Sequence, residues 1–222
     1  IFALHPAYLR VTAIDRLKDN DSMVAYEKLA AELNVLPEID YERVTLMKWE
    51  YLKAVFLQSG EKTLNSSGFK EFFEANREWL EPYAAYCCLR DIYETPDFRK
   101  WKMYSVFNPD DIAEFCACGN IYYDKVSFYY FVQYHLHVQL LEVRNYAHAK
   151  GIVLKGDIPI GVSRDSVDAW SHPELFYMDS QAGAPPDDFS VEGQNWGFPT
   201  YNWDEMAKDG DAWWKTRLCK MA

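Results

Sequence analysis

The chain has 222 residues with a formal net charge of −11, 49% of them hydrophobic and 26% charged, a length that suits one large domain or two small ones around a sizeable core. An acidic balance of this size argues against a nucleic-acid surface, because a phosphate backbone needs concentrated basic side chains. No apolar run approaches the roughly 20 residues of a membrane-spanning helix.

From the start of the chain, residues 1–20 are mixed in character and Pro6 blocks an early helix. From Ser22 to about residue 150 the pattern is helical. Val44, Met47, Tyr51, Leu52, Val55 and Phe56 recur at three and four spacing, which predicts a helix from Tyr41 to Phe56 with Asp40 as N-cap and Gly60 as stop. A second helical stretch is expected from about Phe69 to Tyr93, broken near Trp79–Pro82. Asn108-Pro109-Asp110-Asp111 combines a cap, a first-turn proline and first-turn acids, and so starts a short helix. A long helix is expected from about Asp124 to Lys150, ended by Gly151.

The character changes at Ile152-Val153-Leu154, an apolar run rich in β-branched residues that reads as a buried parallel strand closing in Asp157. An acid at the end of a buried strand is costly unless it is used, although Gly156 and Pro159 also allow a turn there. From Met178 to Asn202 no usable periodicity occurs. That length of connection, carrying Phe189, Trp196, Phe198, Tyr201 and the adjoining Trp203, reads as a packed loop over a site. Helix is expected again near Trp203 and at Ala212.

The five cysteines show neither zinc-knuckle spacing nor an even disulfide set, and read as reduced thiols in a cytoplasmic protein. His135 and His137 sit two apart on the long helix, so they point to different faces and cannot form a metal pair. Arg99, Lys100 and Lys102 are interrupted by aromatics and read as a solvated face. Nucleotide loops, dinucleotide fingerprints and nucleophile elbows do not occur. What remains is a gathering of acids and aromatics in the last 70 or so residues: Asp157, Asp165, Asp168, Asp187 and Asp188, with Trp170, Trp196 and Trp203. Carboxylates hydrogen-bond vicinal hydroxyls and aromatic faces stack on sugars, while glycosyl chemistry needs two carboxylates flanking the bond. Capping and turn formation account for some of these acids.

Gly156-Asp157-Ile158-Pro159-Ile160-Gly161-Val162, followed by Asp165-Ser166-Val167-Asp168-Ala169-Trp170, resembles the signature of 4-α-glucanotransferases, glycoside hydrolase family 77. So do Gly183-Ala184-Pro185-Pro186-Asp187 and the run Gly193-Gln194-Asn195-Trp196-Gly197-Phe198-Pro199-Thr200-Tyr201-Asn202-Trp203. Thr63–Ser67, Trp79–Ala85 and Gln133–His137 resemble the longer, plant-cytosolic type of that family and Phe2–Pro6 resembles an early loop of the family, so the resemblance covers nearly the whole chain.

The resemblance implies an α/β fold: part of a (β/α)8 TIM barrel, helix-rich here. Its pieces would be 1–23 as a barrel piece, 24–148 as an inserted helical subdomain, and 149–222 as barrel strand, active-site loop and following helices. It implies a cytoplasmic enzyme of starch and maltose metabolism with no metal and no cofactor. Its substrates would be maltose, maltodextrin or a larger α-glucan, handled by retaining double displacement, with neither a nucleic-acid nor a membrane partner. Asp157, Gln194 and Trp196 match substrate-binding positions, Asp157 near the cleavage point and the other two on an acceptor-side loop. The catalytic carboxylates would follow the helix begun by Trp213-Trp214. The chain opens at Ile1 without Met and closes within an expected helix at Ala222, so it reads as a fragment lacking those carboxylates and inactive alone. Asp188 and Asp211 stand where the family usually has Tyr, which puts the loop's stacking surface and the packing of the last helix in question. Two rival readings are an amylase-clan α-glucan hydrolase, disfavoured by Gly161-Val162, and a non-catalytic glucan-binding fragment.

Overall fold

A computed structural model describes residues 2–188 and 190–221. Phe189, one of the loop aromatics named above, lies outside the described residues. The helices begin where short polar side chains can take the first free backbone N–H groups. Asp19 accepts from Ser22 to open α1 (Asn20–Asn34) and Asp40 accepts from Arg43 to open α2 (Tyr41–Leu64). Asn108 accepts from Asp110 and Asp111 to open α4 (Pro109–Phe115), after the long α3 (Ser67–Tyr93). The next helix, α5 (Tyr123–Ala149), ends at Gly151, whose φ of 72° suits a residue without Cβ. There Gly151 N–H donates to His148 O and Ile152 N–H to Ala147 O, the paired bonds of a Schellman stop. Shorter helices α6 (Val167–Ser171), α7 (Trp203–Lys208) and α8 (Ala212–Met221) follow.

The chain divides into two compact units, one made of Ala3–Leu80 and Tyr123–Leu154, the other of Ile1–Phe2, Glu81–Tyr122 and Lys155–Ala222. In the first, α2 packs on α5 through Tyr51, Leu52, Val55, Phe128, Phe131, Val132 and Leu136. Leu52 and Val55 are fully buried, which stabilises the unit by roughly 1.5–3 kcal/mol each. The amide of Gln133 bonds both Leu4 N and Leu4 O at 2.9 Å, and that of Gln139 bonds Arg10 N at 2.9 Å and Arg10 O at 3.1 Å, so α5 secures the start of the chain. In the second unit one core cluster comprises Val162, Leu175, Phe176 and Met206, with Tyr201, Trp213 and Trp214 packed against it.

Several expectations are corrected. Gly60 does not stop its helix: it is buried inside α2 because the Phe56 ring occupies the space, 2.5 Å from where a Cβ would stand. Pro82 does not break α3; Leu80, Ala84, Ala85 and Cys88 around it are fully buried, and that packing outweighs the roughly 3 kcal/mol a mid-helix proline costs.

Ile152–Leu154 is not a buried parallel strand. These residues form no regular element and are 56%, 80% and 46% exposed, because a strand needs a hydrogen-bonding neighbour and none lies alongside among the described residues. The described strands are four two-residue segments in two antiparallel ribbons. One pairs β1 (Phe176–Tyr177) with β4 (Thr200–Tyr201), and the other pairs β2 (Gly183–Ala184) with β3 (Gln194–Asn195). The helix-rich character is present as expected. No helix among the described residues is long and apolar enough to cross a membrane.

Candidate functional site

The segment from 178 to 202 is folded by its own short ribbons rather than by periodic burial. Gly183 and Gly193 let β2 and β3 approach: a Cβ at Gly183 would lie 2.1 Å from Gln194 O, and one at Gly193 would lie 2.6 Å from Ala184 O. Beyond the two-residue ladder, Trp196 N–H donates to Ala182 O at 3.0 Å and Ala182 N–H to Phe198 O at 2.8 Å. Asp187 accepts from Ser190 N–H at 2.8 Å, so this acid serves a turn. Asp188 is exposed.

This scaffold brings two of the expected site residues together. Trp196 is 48% exposed, and its Nε1–H donates to Gln194 Oε1 at 2.9 Å, which fixes the indole plane against the amide. Phe198 stands beside it with ring centroids 5.8 Å apart. Chemically this is a flat apolar face with amide donors at its edge, suited to an oxygen-rich ligand carrying apolar C–H faces. Asp157 is exposed and bonded to neither residue. The stretch that follows it is held from below. Tyr201 donates its hydroxyl to Ile160 O, and the buried Arg217 donates Nη2–H to Pro159 O at 2.6 Å while stacking over Trp213 and Trp214 at 4.2 and 4.6 Å. Burial pushes the Tyr201 phenol above its ordinary range, so it remains a neutral donor.

Other expected residues have structural roles. Trp170 is only 1% exposed, donates Nε1–H to Tyr104 O at 2.8 Å, and is enclosed by Phe107, Trp101 and Tyr86. It is core, not a sugar surface, because α6 turns it inward. Asp165 pairs with Arg99 at 2.9 Å, and Asp168 lies in the first turn of α6. Trp203 stacks nearly parallel to Trp214, with centroids 6.1 Å apart. Asp211 sits exposed just before α8 with φ 60°, a left-handed conformation that Asp tolerates better than most residues. Of the five cysteines Cys87, Cys88 and Cys116 are buried, whereas Cys118 and Cys219 are exposed. No group of three or more His, Cys, Asp or Glu suited to a metal occurs among the described residues.

Sequence reasoning missed Arg164, Tyr201 and Arg217 as organisers of the site. Arg164 donates Nε–H to Gly197 O at 2.9 Å, and its two Nη groups donate to Met178 O and Ser180 O. Bonds from side chains to distant main-chain carbonyls leave no spacing signature in a sequence. The only available signal for Arg217 was an arginine one helical turn after two adjacent tryptophans.

Comparison with known proteins places these residues in a wider setting. The model of glycoside hydrolase family 77, described as 4-alpha-glucanotransferase, matches residues 1–222. The chain is 46% identical over its whole length to 4-alpha-glucanotransferase DPE2 of Oryza sativa subsp. japonica, of which it covers 23%. It is 32% identical over 97% of its length to 4-alpha-glucanotransferase of Chlamydia pneumoniae, of which it covers 40%.

Among solved structures, amylomaltase from Streptococcus agalactiae in complex with acarbose superposes with a TM-score of 0.70 at 26% identity, over 90% of this chain and 44% of that one. Amylomaltase from Corynebacterium glutamicum gives 0.75 at 22% identity, over 99% and 30%, a likeness of fold alone. The chain thus spans under half the length of each of these relatives. With a family model matching throughout and a rice relative almost half identical from end to end, the chain belongs to glycoside hydrolase family 77, the 4-α-glucanotransferases.

Proposed function

We propose that the protein carrying these residues transfers glucosyl or maltodextrin units between α-1,4-glucans by retaining double displacement, and that residues 157–202 supply its acceptor side. The observation that carries this reading is the half-exposed Trp196 indole, locked to Gln194 on a glycine-dependent ribbon, in a chain of this family. In this reading Trp196 stacks on an acceptor glucose, Gln194 bonds its hydroxyls through the amide N–H groups, and Asp157 bonds a sugar hydroxyl near the cleavage point. The nucleophilic Asp and the acid/base Glu lie outside residues 1–222, after the helix that carries Trp213 and Trp214.

The same reading assigns 1–23 and 149–222 to a (β/α)8 barrel and 24–148 to a helical insert. The likeness of fold to the two amylomaltase structures supports it. The ligand class is an α-glucan, by family and by the acarbose-bound relative. A reducing, cytoplasmic setting suits a chain whose five cysteines show no even disulfide set in their spacing.

The test follows a maltodextrin of defined length with the protein at its natural length. Transfer yields longer and shorter chains while the number of reducing ends stays constant. A steady rise in reducing ends would mean hydrolysis instead. Residues 1–222 alone should give neither, because both displacement steps need the nucleophile and the acid/base together. Turnover by that piece would overturn the assignment of the carboxylates.

A further inference from the structure

We propose that Arg164 is a positioning residue that fixes the Trp196 platform and thereby sets the use of the acceptor, an inference resting on the acceptor reading given above. Its guanidinium meets three main-chain carbonyls: Met178 O and Ser180 O on the limb entering the loop, and Gly197 O on the limb leaving it, directly after Trp196. A planar fork with five donors can hold three such acceptors at once, and each bond is strengthened by the cation's charge. Among the described residues no carboxylate pairs with this guanidinium, so its charge is delivered to the two limbs of the loop.

The loop needs such a clamp. Its own ladder is two residue pairs long, continued by the two backbone bonds of Ala182 to Trp196 and Phe198, and the backbone on either side of Trp196 turns through Gly193 at φ 75° and Gly197 at φ 77°. Glycines at these positions give the limb freedom that the platform must lose if the indole is to meet a sugar face at a fixed angle. Arg164 removes that freedom at Gly197. A second contact acts nearby: Gly161 leaves room for the Phe198 ring, which would lie 2.5 Å from a Cβ there, and Phe198 in turn flanks Trp196. Both contacts tie the platform to the stretch that follows Asp157. Lysine cannot replace the fork, because one ammonium reaches at most some of the three carbonyls.

The experiment compares Arg164→Met and Arg164→Lys with the parent in the protein at its natural length. Amide hydrogen exchange is measured in peptides covering 178–184 and 193–200. Acceptor kcat/KM and the rate of glycosyl-enzyme formation from donor are measured separately. In R164M the amides of Ala182 and Trp196 should exchange at least about tenfold faster while the rest of the protein is unchanged. Acceptor kcat/KM should fall about 5- to 50-fold, mainly through KM, with donor-side formation within about twofold of the parent. R164K should lie between the two. Unchanged exchange in the loop would overturn the clamp. Faster loop exchange with normal acceptor use would instead overturn the acceptor reading on which the proposal rests. Equal losses on donor and acceptor sides, with exchange raised throughout, would reduce Arg164 to a general structural residue.

Discussion

Replacing Trp170 separates a core role from a sugar-binding one. The indole is sealed by Tyr86, Trp101 and Phe107, with ring centroids 5.8, 5.6 and 5.0 Å away, and its N–H satisfies Tyr104 O. Tyr104 itself has φ 63°, a left-handed conformation that this bond helps to hold. Trp170→Phe keeps a ring in place but leaves that carbonyl without its donor, at a cost of about 1–3 kcal/mol. The smaller ring also leaves a void of roughly 40 Å3, about 1 kcal/mol more at ~24 cal/mol per Å3. A total of ~2–4 kcal/mol corresponds to a fall in Tm of roughly 4–16 °C for a chain of this size. Thermal unfolding by calorimetry or circular dichroism reads it, with glucan affinity of the folded protein measured in parallel. An unchanged Tm together with weakened glucan binding would refute the core assignment.

Protonation and thiol chemistry offer further checks. The His135 ring packs on Phe131 at 4.4 Å with Nε2 buried and unpartnered, and desolvation holds its pKa down to about 4. The unfolded chain takes up this proton near pH 6.5, so the stabilising term is full above that pH and is lost as pH falls toward 4, up to ~3 kcal/mol in all. Subtracting a His135→Phe denaturation series from the parent's should isolate that slope, and parallel curves would contradict it. Alkylation of the folded protein at about pH 8 should label Cys118 and Cys219 rapidly. Cys87, whose thiol burial pushes up to about 11, and the buried Cys88 and Cys116 should react only after unfolding, as peptide mass spectrometry would show. Rapid labelling of Cys87 in the native state would contradict its burial.

Local signals carried the helices well. Asp40 and Asn108 cap where their side chains can reach free N–H groups, and Gly151 stops α5 because the chain there turns left-handed. The errors came where distant packing decides. Gly60 and Pro82 look like breakers only when the Phe56 ring and the buried turns of α3 are out of view. Ile152–Leu154 has strand composition, but composition supplies no partner strand. At the candidate site, Gln194 and Trp196 were legible through the glycine-flanked motif that contains them. Trp170 is the same residue type in the separate Asp165–Trp170 run and proved to be core, because burial depends on how α6 is turned. Arg164 was illegible because its partners are carbonyls, which every residue possesses.

The most direct measurement of the central claim is Trp196→Ala in the protein at its natural length, with the two half-reactions and Tm determined together. Losing one well-placed aromatic contact, roughly 1–3 kcal/mol, predicts a fall of about 5- to 150-fold in acceptor kcat/KM. Formation of the glycosyl-enzyme from donor should be little affected, and Tm should hold within about 2 °C because the indole is half exposed. Equal losses in both half-reactions with a Tm lower by several degrees would make Trp196 a packing residue and contradict the acceptor-side assignment.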